Sequence, residues 1–169
     1  GESTWTSYTI ADGLPNNFVR AIAIDSSGRI WAGTFDGVAM FDGERWSQYT
    51  ESDGLIDNGV DLVVADESNG VWFGYTFIVG ITLRNGAAWT TYTTDHGLAS
   101  NDVSCMAIGP GGFRWVGTST NLSVFDGVNW KIYPLGEEEI LSLAVENATT
   151  VWVGTYGLAG NGLFKLILP

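Results

Sequence analysis

The chain has 169 residues, 45% hydrophobic and 15% charged, with 7 basic against 19 acidic side chains for a formal net charge of -12. That length fits one domain with a substantial core, and the acidic balance repels phosphate backbones and anionic headgroups, which excludes nucleic acid as a partner. A single cysteine, Cys105, gives neither a disulfide framework nor a Cys-type metal cluster, and no apolar run approaches the roughly 20 residues of a membrane helix, so no membrane insertion is expected.

The start, GESTWTSYTI, has no basic n-region or apolar h-region. It reads as the beginning of a mature or excised form and not as a signal peptide. Its WTSYT, residues 5–9, returns as WSQYT, WTTYT and WKIYP further on. Trp5, Trp46, Trp89 and Trp130 mark one recurring position, spaced 41, 43 and 41 residues apart; Trp31, Trp72, Trp115 and Trp152 mark another, spaced 41, 43 and 37. A period just above 40 with four strand-like runs per unit predicts propeller blades. The repeats divide as about 5–45, 46–88, 89–129 and 130–169, all within one domain over 1–169.

In the first unit VRAIAID, RIWAGT, GVAMF and ERWSQY are of strand length and rich in β-branched and aromatic residues. Asp42-Gly43 between the last two predicts a two-residue type I′ hairpin, as do Asn85-Gly86 and Asp126-Gly127 in the next two units. The fourth unit gives ILSLAVE, VWVGT and GLFKLIL and then ends without a fourth strand. The matching strand stands at the N-terminus. The expected fold class is therefore all-β, a propeller of four-stranded antiparallel blades, four per chain, with the N-terminal strand completing the last blade and hiding two sheet edges.

Between units lie ADGLPNNFV, SDGLIDNGV and DHGLASNDV, replaced in the fourth copy by PLGEEEIL. Taken together, the units read as W-x-x-Y-x(4)-GL-x-x-N-x-V, a D-x-x-G-x-x-W turn, a W-x-G-T strand and FDG-x-x-W. This resembles the two-component regulator propeller repeat over nearly all of the chain, most clearly in units one and three; unit two has Tyr75 where its companions have Thr34, Thr118 and Thr155. The resemblance implies a sensor-type module of bacterial hybrid two-component systems, extracytoplasmic (periplasmic or secreted) and responsive to a carbohydrate or other small molecule. Sensor regions of that family usually carry many more than four repeats.

A residue present in every repeat is explained by the blade, and a residue that breaks the repeat needs another reason. The tryptophans are expected in packing, and Asn17, Asn58 and Asn101 in their own turns. His96 aligns with Asp12 and Asp53 in a loop and has no G-x-S-x-G serine to activate, so the chain is read as no enzyme, with no catalytic residues, metal or cofactor. Cys105 aligns with Ala21 and Leu62 on an inner strand and reads as a buried thiol. The Asp25-Ser26-Ser27-Gly28 turn resembles the Asp-box of sialidases, a fold marker.

The loops from outer to inner strand and from second to third strand should share one face, and the repeat-breaking residues gather there. Phe35, Tyr75, Phe77 and Tyr156 are the candidate stacking surfaces, Asp36, Asn121 and Asn161 the candidate polar partners, and Arg20 and Asp61 stand near the channel mouth. Two alternatives accompany the sensing module: a structural propeller fragment with no ligand, and a propeller lyase. For assembly, four blades in a ring turn by roughly 90° each and eight by roughly 45°. Two tryptophans per blade favour the shallower turn, hence a homodimer forming an eight-bladed ring, with a monomer as the alternative.

Overall fold

The computed structural model describes residues 3–136, 138–157 and 162–168. Fifteen strands form four antiparallel sheets among these residues. Blade one is β1 (Val19–Ile24), β2 (Ile30–Thr34), β3 (Gly37–Phe41) and β4 (Trp46–Tyr49). Blade two is β5 (Val60–Ala65), β6 (Gly70–Tyr75), β7 (Ile81–Asn85) and β8 (Ala88–Tyr92). Blade three is β9 (Val103–Ile108), β10 (Arg114–Thr118), β11 (Asn121–Phe125) and β12 (Trp130–Pro134). Blade four has β13 (Glu139–Asn147), β14 (Thr150–Tyr156) and β15 (Gly162–Ile167). Strand order follows chain order in every sheet, as short hairpins require.

The blades pack side by side through their inner strands, β1 on β5, β5 on β9 and β9 on β13. One core fills each seam. Trp31 and Val38 of blade one meet Val63 and Phe73 of blade two, Trp72 and Ile81 meet Val116 and Phe125, and Trp115 and Leu122 meet Ile140 and Val153. The Arg84 guanidinium lies in the first seam, 5.1 Å from the Trp31 ring, 4.6 Å from Tyr49 and 5.4 Å from Trp89. Three aromatic faces thus share one cation.

The glycine of W-x-G-T belongs to these seams. A Cβ on Gly33 would stand 2.8 Å from Val60 and 2.9 Å from Val63, and one on Gly117 would stand 2.5 Å from the Cys105 sulfur. Its threonine ties the next loop: Thr34 Oγ1 donates to the Gly37 carbonyl at 2.8 Å and Thr118 Oγ1 to the Asn121 carbonyl at 2.7 Å.

The turn before the W-x-G-T strand is closed by a side chain in blades one, two and four, while in blade three Gly109 takes that place and the turn closes through backbone bonds. Asp25 Oδ1 accepts from the Ser27 and Arg29 N–H groups, and Oδ2 from the Trp31 indole at 2.8 Å. Asp66 repeats this toward Ser68, Gly70 and Trp72. In blade four Glu146 accepts from the Trp152 indole at 2.7 Å and pairs with Lys165.

Two expectations need correction. The hairpins between third and fourth strands are present, but not as type I′ turns, which need positive φ at both central residues. Glycine is the first central residue, at φ 104° for Gly43, 61° for Gly86 and 102° for Gly127, and the residues after it are not in that region. Asp42 precedes the turn and its Oδ1 accepts from Glu44 and Arg45, both at 2.9 Å.

The second correction concerns residues 5–9, which do not complete blade four. That sheet has three strands among the described residues, residues 5–9 form no strand, and Trp5 is 98% exposed. Tyr8 instead packs on blade one, 5.7 Å from Phe41 and 5.5 Å from Trp46. The blades follow one another as an arc, with no comparable packing of β13 back onto β1 among the described residues. Residues 5–9 lead into the first linking loop, and among the described residues β15 pairs with β14 alone.

Candidate functional site

The linking loops and the second-to-third loops do share a face, because they hydrogen-bond to one another. Gly37 N donates to the Asn58 carbonyl at 2.8 Å, Thr76 N to Gly59 at 2.8 Å, Gly80 N to Asn101 at 2.9 Å and Ser119 N to Asp102 at 3.0 Å. Each of the three Gly-Leu linking loops is itself held by two side chains. Asp12 and Asp53 accept from the Thr9 and Thr50 N–H groups, while Asn17, Asn58 and Asn101 accept from Ile10, Glu51 and Thr94. His96 Nδ1 stands where those aspartates stand, accepting from Thr93 N at 3.2 Å. Its ring is part of a turn.

On this face the structure brings together four of the expected residues. Arg20 of β1 forms an ion pair with Asp61 of β5 across the first seam, and its guanidinium lies 4.9 Å from the centre of the Phe35 ring. Phe18, at the start of the inner strand, packs on Phe35 with ring centres 5.3 Å apart. Asp36 accepts from the Asn16 amide at 2.7 Å. The result is an exposed pair of aromatic rings bordered by a cation, two carboxylates and an amide. Such a surface can stack on the apolar face of a flat or cyclic ligand while the border groups exchange hydrogen bonds with its polar edge.

The other expected residues stand apart. Tyr75 is no stacking surface: it is 5% exposed and lies in the core of the first seam, its hydroxyl accepting from Ile56 N at 3.4 Å. Burial pushes its phenol up to about 12. A tyrosine can replace the threonine of W-x-G-T here because the following loop, residues 76–80, is longer and ties itself to Gly59 and Asn101. Asn121 serves the fold, its Oδ1 accepting from Leu135 N at 3.1 Å. Phe77 is exposed on the second-to-third loop of blade two and Tyr156 at the end of β14, and Asn161 lies outside the described residues.

Phe18 and Asn16 were missed in the sequence. Phe18 falls where the other linking loops have Gly59 and Asp102, so the rule that singled out repeat-breaking residues applies to it as well. Among the described residues no group of three or more His, Cys, Asp or Glu side chains gathers as a metal site. Two cavities, of about 280 Å³ beside Tyr133 and about 260 Å³ beside Tyr8, share no lining residue with this cluster.

Sheets of this form, repeated side by side around inner strands, define a β-propeller protein. The family model for the two component regulator propeller matches residues 13–36, from the first linking loop through β2. The fold is similar to the extracellular domain assigned to a hybrid two-component system of B. thetaiotaomicron, with TM-score 0.78 and 20% identity over 100% of this chain and 24% of that one. A second such domain from the same organism gives 0.76 and 19% over 90% and 22%. Virginiamycin B lyase from Staphylococcus aureus gives 0.63 and 13% over 90% and 56%. At these identities the likeness establishes the fold, and the chain spans about a quarter of the sensor domains it resembles. No curated protein sequence matches.

Proposed function

We propose that this chain is a non-catalytic sensing or interaction module that works outside the cytoplasm and takes a carbohydrate or a similar small polar ligand on the Phe18–Phe35 surface. The observation that carries this reading is the cation–aromatic cluster of Arg20, Phe35 and Phe18, tied to Asp61 on the neighbouring blade. Two exposed aromatic rings in fixed contact lose little freedom on binding, and the border carboxylates suit hydroxyl donors. The placement of His96 Nδ1 in a loop bond favours a binding role over a lyase role. The likeness to extracellular sensor domains supports the compartment. In this reading the working assembly is a homodimer whose two chains complete one eight-bladed ring, with a monomer as the alternative.

A glycan array followed by thermal-shift titration tests the reading, since a ligand of the native state must raise its apparent stability. The expected result is a binding oligosaccharide whose shift disappears in Phe35→Ala while the unliganded melting temperature stays within a few degrees. If no carbohydrate binds, or if Phe35→Ala leaves binding intact, the sensing site is not this cluster.

A further inference from the structure

Tyr8 and the outer-strand tyrosines Tyr49 and Tyr92 each face a tryptophan of the blade that follows. Tyr8 meets Trp46 at 5.5 Å, Tyr49 meets Trp89 at 5.7 Å and Tyr92 meets Trp130 at 5.5 Å between ring centres. Tyr133 of β12 is the fourth in this series. Its tryptophan would sit on a fourth strand of blade four, and the described residues supply three strands there. In that place a cavity of about 280 Å³ opens, walled by Tyr133, Trp130, Phe113, Val124 and Leu168 together with the polar Asp126, Asn129 and Lys131.

Trp5 has the sequence place of the missing ring. It heads WTSY as Trp46, Trp89 and Trp130 head WSQY, WTTY and WKIY, and it is almost wholly exposed. Tyr8, three residues on, already keeps the Trp46 partner that an outer strand of a preceding blade would have.

The flanking faces agree. Val38, Ile81 and Leu122 pair with Gly33, Gly74 and Gly117 and are buried by the next blade; Leu163, paired with Gly154, is 69% exposed. Trp152 is 36% exposed where Trp31, Trp72 and Trp115 are fully buried. At the other end of the arc Ile22 is 67% exposed where Val63 of blade two is 6% exposed. The chain therefore presents at its two ends the two halves of a contact that it makes three times internally.

We propose that a second copy of this chain occupies these ends by strand exchange. Residues 5–9 of one copy add as the fourth strand beside β15 of the other, Trp5 fills the cavity beside Tyr133, and the Trp152–Leu163 face closes on the blade-one face around Ile22. The added strand pairs with the edge of β15 that no strand covers among the described residues, and apolar surface of each end leaves water. The contact is head-to-tail, so it closes into a ring when made twice between two copies.

This rests on the homodimer reading above and fails separately from it. Sedimentation of the chain at micromolar concentration should give twice the 18.2 kDa chain mass. Trp5→Ala should weaken association by about tenfold or more, as truncation of a central aromatic anchor does, and Tyr133→Ala should do the same. Trp5 is exposed in the single chain, so its loss leaves the fold and its circular dichroism unchanged. A monomer with native near-ultraviolet dichroism overturns both the homodimer and the exchange, in favour of blades flanking this segment in a longer chain. A dimer indifferent to Trp5→Ala and Tyr133→Ala keeps the homodimer and overturns the exchange.

Discussion

The Arg114 guanidinium reaches from blade three into blade two and donates to Asp66 across 2.6 Å, with both side chains largely buried. Asp66 at the same time closes its own turn through Ser68 and Gly70 and holds the Trp72 indole. One carboxylate thus joins a turn, a core ring and a seam. Asp66→Ala leaves the Arg114 charge buried and unpaired, and breaking such a pair costs about 3–5 kcal/mol. Urea unfolding followed by tryptophan fluorescence should show that loss, and Asp66→Ala combined with Arg114→Met should recover part of it. A loss below about 1 kcal/mol in the single variant would mean that the pair is effectively solvated.

Acid should weaken the fold through the same carboxylates. For Asp66 burial pushes the carboxyl up, and the Arg114, Gly70 and Trp72 donors together outweigh it, so the net direction is down. Asp25 behaves alike, with burial opposed by Trp31, Arg29 and Ser27. A group whose folded value lies below its unfolded value of about 3.9 contributes stability that is present above that pH and lost as pH falls through the folded value. Stability in urea should hold through neutral pH and fall below about pH 4. In Asp66→Asn that fall should be shallower; an equally steep fall places the acid sensitivity elsewhere.

Gly117 marks how tightly the third seam is closed. A methyl group there would stand 2.5 Å from the Cys105 sulfur and 2.6 Å from Ile140. Gly117→Ala should destabilise by about 1–3 kcal/mol through overpacking, and Cys105→Ala in the same chain should relieve part of that cost. Additive effects in the double variant would show that the two side chains do not share space. Burial also pushes the Cys105 thiol up, so a thiol reagent should label it slowly in the native chain and fast in urea.

His96 occupies a carboxylate's place in its loop, accepting from Thr93 N as Asp12 accepts from Thr9 N and Asp53 from Thr50 N. His96→Asp should therefore match or exceed the stability of the parent chain. His96→Ala should lose about 0.5–2 kcal/mol, the usual cost of removing such a cap. The two melting temperatures decide it: a His96→Asp variant less stable than His96→Ala would show that the imidazole does something a carboxylate cannot.

Blade strands, linking loops and the shared loop face were legible in the sequence because each depends on a local pattern repeated in register. Alternation of apolar residues, Gly-Leu-x-x-Asn and W-x-G-T all act within a few residues of themselves, and the Asn17, Asn58 and Asn101 bonds are that kind of interaction. Arg20, Phe35, Asp36 and Asp61 were singled out because they break the repeat. Phe18 breaks it too, and its meaning appears only once Phe35 lies beside it. Tyr75 breaks it for a packing reason, which no spacing reveals, since its neighbours Leu55 and Val60 come from the preceding loop and strand.

What the amino-acid order determined by itself was therefore the blade: its strands, its turns and the side chains that tie them, all products of short-range chemistry repeated along the chain. What only the tertiary structure decided was how the blades end. WTSYT has the sequence of an outer strand wherever it is placed, but whether it lies beside β15 depends on the distance between the ends of the arc. That distance is accumulated over every seam packed by Trp31, Trp72 and Trp115, and no local pattern encodes it.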